Sequence, residues 1–455
     1  MAAVSLSALF SQSRSDRLIA STIDGQAIRL SDFAADVAAT IGTLREAGCR
    51  RGLLICDDAY WAAVGIMALL HDGGEALLPH NTHPESIASL QGSFDMLVSD
   101  RVWPGIEKQV LLHKRPAASD AIPAIDPANA FVSLFTSGST GEAKRIRKSL
   151  AYLEAEARAV DAVLGKVAPA NAWVQATATH QHLYGLTFRL CWPLASCRPF
   201  SGRTEEYWEP TLARLVAGSV LVSSPAHLTR LGGLDALPAD RRPSFVMSGG
   251  APLPQSAVDA VRDIIGCDVV EMFGSTETGV VGHRWRSRES QSWSPYPTVS
   301  VARDADGRLR VRSPYSGGGA DGYVIDDLVE IAADGRFRLL GRADRIAKVE
   351  GNRVSLLELE EALARLEWVR EAAIVQFGGD AVRLGAVVLP SEEGRAELEK
   401  LGAFRFGRKL RGELAAARPS AGLPRQWRFV DRLPASVLGK VSRGELLKLF
   451  ERANP

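Results

Sequence analysis

Short apolar runs alternate with helical segments through the first 295 or so residues, and this alternation limits the fold more than any other feature of the chain. The strand-like runs are Arg51–Cys56, Ala76–Leu78, Met96–Val98, Phe131–Phe135, Ala172–Ala176, Val220–Val222, Phe245–Met247 and Val269–Met272. Helical spacing separates most of them. In residues 31–47, Phe33, Val37, Ile41 and Leu44 share one face, with Ser31 as the expected cap. A second helix is expected from about Tyr60, stopped by Asp72-Gly73-Gly74. Strands alternating with helices call for a mainly parallel, layered α/β body.

The texture changes near residue 295. Shorter alternating segments follow at Val299–Ala302, Leu309–Arg312 and Phe337–Leu340, with glycine at the turns, which suits antiparallel sheet or barrel. Beyond Gly341 a β/α stretch is expected: a helix at Ser355–Leu366, strands at Glu371–Phe377 and Leu384–Leu389, and a helix at Glu397–Ala416. At 455 residues the chain exceeds one hydrophobic core. The expected fold class is therefore α/β, with layered α/β subdomains and a β-rich subdomain in residues 1–342 and a small α+β domain in 343–455.

Charge is nearly balanced, with 54 basic and 53 acidic residues, which removes the electrostatic case for nucleic acid or acidic lipid as a main partner. The longest apolar stretch, Ala62–Leu70, is too short to span a bilayer. Cys49, Cys56, Cys191, Cys197 and Cys267 lack zinc-finger or redox spacing and are expected to be reduced, mostly buried residues of a cytoplasmic protein.

The segment Leu134-Phe-Thr-Ser-Gly-Ser-Thr-Gly-Glu-Ala-Lys144 carries the clearest chemistry. An apolar strand runs into six small residues and then a lysine. Small residues let backbone N–H groups approach an anion, the hydroxyls of Thr136, Ser137, Ser139 and Thr140 add donors, and Lys144 adds charge. That is a polyphosphate site, although a Walker ending is absent. Taken alone, such a loop reads equally well as a Ser/Gly hairpin.

Five more segments follow. They are Ser248-Gly-Gly-Ala-Pro-Leu253, Met272-Phe-Gly-Ser-Thr-Glu-Thr-Gly279, Asp327, Gly341-Arg-Ala-Asp-Arg-Ile-Ala-Lys348 with Gly351 and Arg353, and Leu433-Pro-Ala-Ser-Val-Leu-Gly-Lys440. In this order, and together with the first loop, they resemble the motifs of the acyl-adenylate-forming superfamily. That superfamily includes acyl-CoA synthetases, firefly luciferases and the adenylation domains of peptide synthetases. The resemblance runs from about residue 60 to 445. It implies an AMP-forming acid–thiol ligase. ATP and Mg2+ would activate an organic carboxylic acid, and CoA or another phosphopantetheine thiol would accept the acyl group.

The same resemblance assigns roles. Thr136, Ser137, Gly138, Ser139, Thr140, Gly141 and Lys144 would embrace the β- and γ-phosphates. Gly249, Gly250 and Ala251 would border adenine, with Phe273 and Gly274 beside the ring. Thr276 would donate to the α-phosphate, and Glu277 would hold Mg2+. Asp327 would accept from ribose, and Arg342 would contact ribose or phosphate. Lys440 would reach the carboxylate and the α-phosphate. Asp344 would be the hinge of a mobile C-terminal domain, whose Gly351 side serves thiol attack.

The chain departs from the pattern in four places. Ala143 replaces a usual Pro, Arg145 a common Gly, Ile325-Asp326 a usual Thr-Gly, and Leu438 a common Ser. The third denies the ribose side glycine's freedom. His182-Leu-Tyr-Gly-Leu186 resembles the segment lining the acid pocket, which places His182 at the catalytic site, with core packing as the alternative. No Asp lies between Thr177 and Leu190 to pair with an amine, so aryl and fatty acids are favoured over amino acids. An Asp-Ser-Leu carrier motif is absent, so transfer to an acyl carrier protein would be in trans. The short chain resembles stand-alone acyl–carrier-protein ligases. Two rival expectations are an enzyme that stops at acyl-AMP and a nucleotide-binding regulator without catalysis.

Overall fold

Helix Leu30–Glu46 buries Phe33, Val37, Ile41 and Leu44, as their spacing requires. Its cap differs from expectation. Ser31 lies inside the helix, and the Asp32 carboxylate accepts from the Arg29 N–H at 3.0 Å, closing the first turn. Helix Ala59–His71 begins at Asp58, whose carboxylate accepts from the Tyr60 N–H. It packs against strands of two different sheets, which explains why it is apolar on nearly every side.

This computed structural model describes residues 4–12, 16–114, 122–137, 143–286, 292–349, 352–377, 383–417, 422–433 and 443–451. The chain forms two compact units. The first comprises Met1–Val301, Val311–Tyr323 and Ala333–Arg336; the second comprises Ala302–Arg310, Val324–Ala332 and Phe337–Pro455. These units depart from a single border at 342–343, because the β-rich segments pair among themselves and group with the C-terminal residues.

Among the described residues the first unit holds a six-stranded and a nine-stranded sheet. The six-stranded sheet runs Gln109–Leu111, Met96–Ser99, Arg51–Leu54, Glu75–Leu78, Phe131–Ser137, Ala143–Ser149. It is parallel except for its last pair, an antiparallel hairpin at the edge. The nine-stranded sheet has a parallel centre that includes Val174–Ala176, Val220–Ser223, Phe245–Gly249 and Asp268–Ser275. Antiparallel Gly279–Trp285 and Ser294–Pro295 extend it toward one edge. Strands Phe131–Ser137, Phe245–Gly249 and Asp268–Ser275 run at their carboxyl ends into the motif segments, on the side where open α/β sheets bind ligands.

The second unit carries most of a four-stranded sheet, ordered Ser300–Arg303, Arg308–Arg312, Tyr323–Ile331, Phe337–Arg342. It also has a two-stranded ladder, Ile346–Val349 with Asn352–Ser355. A three-stranded sheet follows, Val369–Phe377, Arg383–Pro390 and Gln426–Phe429, packed by helices Leu356–Ala364 and Glu392–Ala417. Leu359, Leu363, Ala386, Val388, Phe406 and Leu410 form its core. The second of these helices starts at Glu392, earlier than its apolar spacing indicates, and turns at Gly402. Among the described residues no helix is long and apolar enough to cross a membrane. All five cysteines are free; Cys49, Cys56 and Cys191 are buried, and Cys197 and Cys267 partly so.

Candidate active site

The segment expected to hold phosphates joins the strands Phe131–Ser137 and Ala143–Ser149, in which Thr136 pairs directly with Lys144 and Ser137 with Ala143. Gly138, Ser139, Thr140 and Gly141, and the side chain of Ser137, lie outside the described residues. Lys144 does not stand alone. Its Nζ donates to Glu277 Oε1 at 3.1 Å, so the lysine of one sheet meets the carboxylate of the other. The Glu277 hydrogen bond and charge raise the Lys144 pKa. Burial works to raise the Glu277 carboxyl. Its own backbone N–H, the Lys144 ammonium and the Ser275 hydroxyl outweigh that effect and leave it below the ordinary value. Glu277 therefore stays ionised at neutral pH.

Thr276 and Glu277 sit in the turn between strands Asp268–Ser275 and Gly279–Trp285. Thr278 is fully buried and braces this turn. Its hydroxyl accepts from the Ser275 N–H at 3.1 Å and donates to the Gly279 carbonyl at 3.0 Å. Thr276 is half-buried, Phe273 is half-buried with its ring 5.5 Å from that of Trp293, and Gly274 is exposed.

Gly249 ends its strand, and Gly250 and Ala251 follow it. A Cβ at Gly249 would lie 2.5 Å from the Tyr184 ring, so the absence of a side chain lets that ring lie against the loop. The loop is tied down by Glu271, a buried carboxylate between the apolar Val270 and Met272. Glu271 accepts from the Leu253 N–H at 3.2 Å, from Arg284 at 2.7 Å and from Arg286 at 2.6 Å.

His182 precedes the short helix Leu183–Gly185. Burial, then the charge of His80, push its pKa down to about 4, so the imidazole is neutral at physiological pH. Tyr184 stacks obliquely on Phe188 at 5.1 Å, and its hydroxyl is buried with no hydrogen-bond partner among the described residues.

In the second unit, Asp327 pairs directly opposite Arg342 across two strands. Arg342 lies 3.9 Å from Asp327 and 3.7 Å from Asp326, and Arg308 lies 3.5 Å from Asp326. The Asp326 that replaces a usual glycine is thus an exposed strand residue paired with two guanidinium groups. Gly351, Lys440 and the side chain of Asp344 lie outside the described residues.

A model of the AMP-binding enzyme family matches residues 62–318, more than half of the chain. The chain belongs to this family. Among curated relatives, this AMP-binding enzyme is 26% identical over 308 residues to a 4-coumarate–CoA ligase of Cereibacter sphaeroides, covering 68% of the chain and 69% of the relative. It is 32% identical over 246 residues to an isonitrile lipopeptide synthase of Streptomyces coeruleorubidus, covering 47% of the chain and only 16% of that protein. Its fold matches ATP-bound MatB from Rhodopseudomonas palustris at a TM-score of 0.84 and 19% identity, over 99% of each chain. It matches a benzoate CoA ligase from Burkholderia xenovorans at 0.78 and 20%, over 97% of the chain and 99% of that one. The α/β expectation holds in these matches.

Five charged residues around these segments lie outside the motifs: Lys148, Glu156, Glu271, Arg284 and Arg286. Period-two alternation could have found three of them. Lys148 shares a strand face with Lys144, and Arg284 and Arg286 alternate opposite Glu271.

Proposed function

We propose that this AMP-binding enzyme joins an aryl or fatty acid to AMP, releasing pyrophosphate, and then passes the acyl group to a phosphopantetheine thiol of CoA or of a carrier protein. The observation that carries the first half is the meeting of Lys144 and Glu277 at 3.1 Å. A phosphate-loop cation and an ionised carboxylate brought together from two sheets are what a metal–polyphosphate ligand separates and engages. A carboxylate is a poor electrophile, and attack on the α-phosphate converts it to a mixed anhydride. The protein must hold two anions together and neutralise the charge that develops.

In this reading Thr136 and Lys144 hold the terminal phosphates, Thr276 donates to the α-phosphate, and Phe273, Gly249, Gly250 and Ala251 enclose adenine. Among the described residues no group of three or more metal-ligating side chains occurs. A lone carboxylate, Glu277, fits Mg2+ delivered on phosphates, since that ion keeps water and substrate oxygens as most of its ligands. Bound there, Mg2+ would offset negative charge on the triphosphate. Asp327 and Arg342 would serve ribose, and Lys440 would bridge the carboxylate and the α-phosphate. Rotation at Asp344 would then exchange Lys440 for the Gly351 side, where the thiol attacks. The neutral His182 and the unpartnered Tyr184 hydroxyl support an uncharged acid pocket, in keeping with the missing amine-binding Asp.

Carboxylate-dependent ATP–pyrophosphate exchange over a panel of aryl and fatty acids tests the reading. Exchange with at least one acid, abolished by Lys440→Ala, is expected. Silence with every acid would favour a non-catalytic nucleotide-binding protein, and undiminished exchange in Lys440→Ala would remove that lysine from the chemistry. Adding CoA or an acyl carrier protein and assaying thioester separates a full ligase from an enzyme that stops at acyl-AMP.

A further inference from the structure

Two buried charges that lie outside every motif hold the Glu277 turn from behind. Lys148 is 4% exposed and Glu156 is 3% exposed. Lys148 Nζ donates to the Glu277 carbonyl at 2.7 Å and to the Tyr315 carbonyl at 3.1 Å. Glu156 Oε1 accepts from the Val280 N–H at 2.8 Å, and Oε2 accepts from the Thr187 hydroxyl at 2.9 Å. The turn is therefore held from two sides, by the Lys148 amine nitrogen on its carbonyl side and the Glu156 carboxyl group on its N–H side.

Gly279 shows how closely the turn is seated. Its φ is +68°, and a Cβ there would lie 2.7 Å from Glu156 Oε1 and 2.9 Å from the Tyr315 ring. The backbone rests directly on the carboxylate, and no side chain fits between them.

The two lysines of strand Ala143–Ser149 divide the work on Glu277. Lys144 is exposed and holds the carboxylate; Lys148 is buried and holds the main chain of the same residue. A ligand can take over the first contact, but the second is out of its reach. Burying an ammonium and a carboxylate costs stability that a packed apolar pair would not. Burial lowers the Lys148 pKa, and the charges of Glu156 and Glu277 oppose that shift.

We propose that Lys148 and Glu156 are positioning residues that fix the Thr276–Glu277 turn in the shape that receives metal-bound nucleotide. Their role deepens the acid-activation reading and rests on it for its effect on turnover, while the effect on the turn itself does not depend on it.

The test uses the full-length Lys148→Met protein. Hydrogen exchange of peptides spanning 274–280 should accelerate about tenfold or more, the loss expected for hydrogen bonds to a charged donor, while strand Val220–Ser223 stays protected. In ATP–pyrophosphate exchange the KM for Mg·ATP should rise about tenfold, with the KM for the acid changed less than about twofold. A merely structural role would lower the fraction of active enzyme and leave both KM values alone. Unchanged turn protection, or an unchanged Mg·ATP KM in a folded variant, overturns the proposal. If Lys148→Met does not fold, Glu156→Gln takes its place. It keeps an acceptor for the Val280 N–H and removes the charge, and a turn exchanging as in the parent protein again overturns the proposal. If the parent protein catalyses no exchange with any acid, the reaction assignment fails, and hydrogen exchange still decides the role of Lys148.

Discussion

Lowering the pH should destabilise the first unit through two buried histidines, His180 and His182. His180 is 2% exposed. Burial, then the Arg189 cation, push its pKa from 6.5 down to about 3, against an opposing contact with the Cys56 backbone. His182 falls from 6.5 to about 4, by burial and then by His80. Between 6.5 and these values the unfolded chain binds protons that the folded chain refuses. Stability is therefore complete above about pH 6.5, falls as pH drops through that window, and levels off near the folded values. At about pH 5 the window is roughly 1.5 pH units wide for each histidine, which at about 1.4 kcal/mol per unit amounts to about 2 kcal/mol each. Asp36, Asp58, Asp100 and Glu156 are held above the usual carboxylate value by burial and work in the opposite direction. The comparison must therefore be a double difference. Urea unfolding is followed by tryptophan fluorescence at about pH 7.5 and pH 5, for the parent protein and for His180→Gln, with the first unit's transition fitted separately. The variant should lose about 2 kcal/mol less than the parent on acidification. A difference below about 0.5 kcal/mol would refute the claim that the buried neutral imidazole is the source.

Two further outcomes bear on the site itself. Gly249→Ala forces a methyl to 2.5 Å from the Tyr184 ring, and kcat/KM for exchange should drop about tenfold with an unchanged melting temperature; parent-like kinetics would show that the ring and loop yield freely. Glu277→Gln removes the charge that Lys144 neutralises, and the Mg2+ concentration for half-maximal exchange should rise about tenfold, whereas an unmoved Mg2+ titration would take the metal away from this residue.

Much of the body was legible because its signals are local. Apolar runs of strand length alternate with helical spacing, and each expected strand appears with bounds shifted by a few residues at most. The Ser31 cap failed for a reason that is also physical. Any small polar residue near a helix start is a candidate acceptor, and the choice fell to Asp32, whose carboxylate reaches the Arg29 N–H. The unit border was blurred for a similar reason. Strand pairing between segments distant in sequence decides which residues cluster, and composition carries no record of pairing.

The sequence by itself determined the chemistry on offer: a Ser/Thr/Gly loop ending in Lys144, a turn bearing Thr276 and Glu277, a small-residue loop at Gly249–Ala251, and a chain of nearly balanced charge. Those choices depend on residue type and short spacing, which a sequence states outright. Only the tertiary structure decided that Lys144 and Glu277, 133 positions apart, meet at 3.1 Å, and that Lys148 and Glu156 grip the turn between them. It also decided that His182 is neutral, because a pKa depends on what surrounds the ring, and those neighbours come from other parts of the fold.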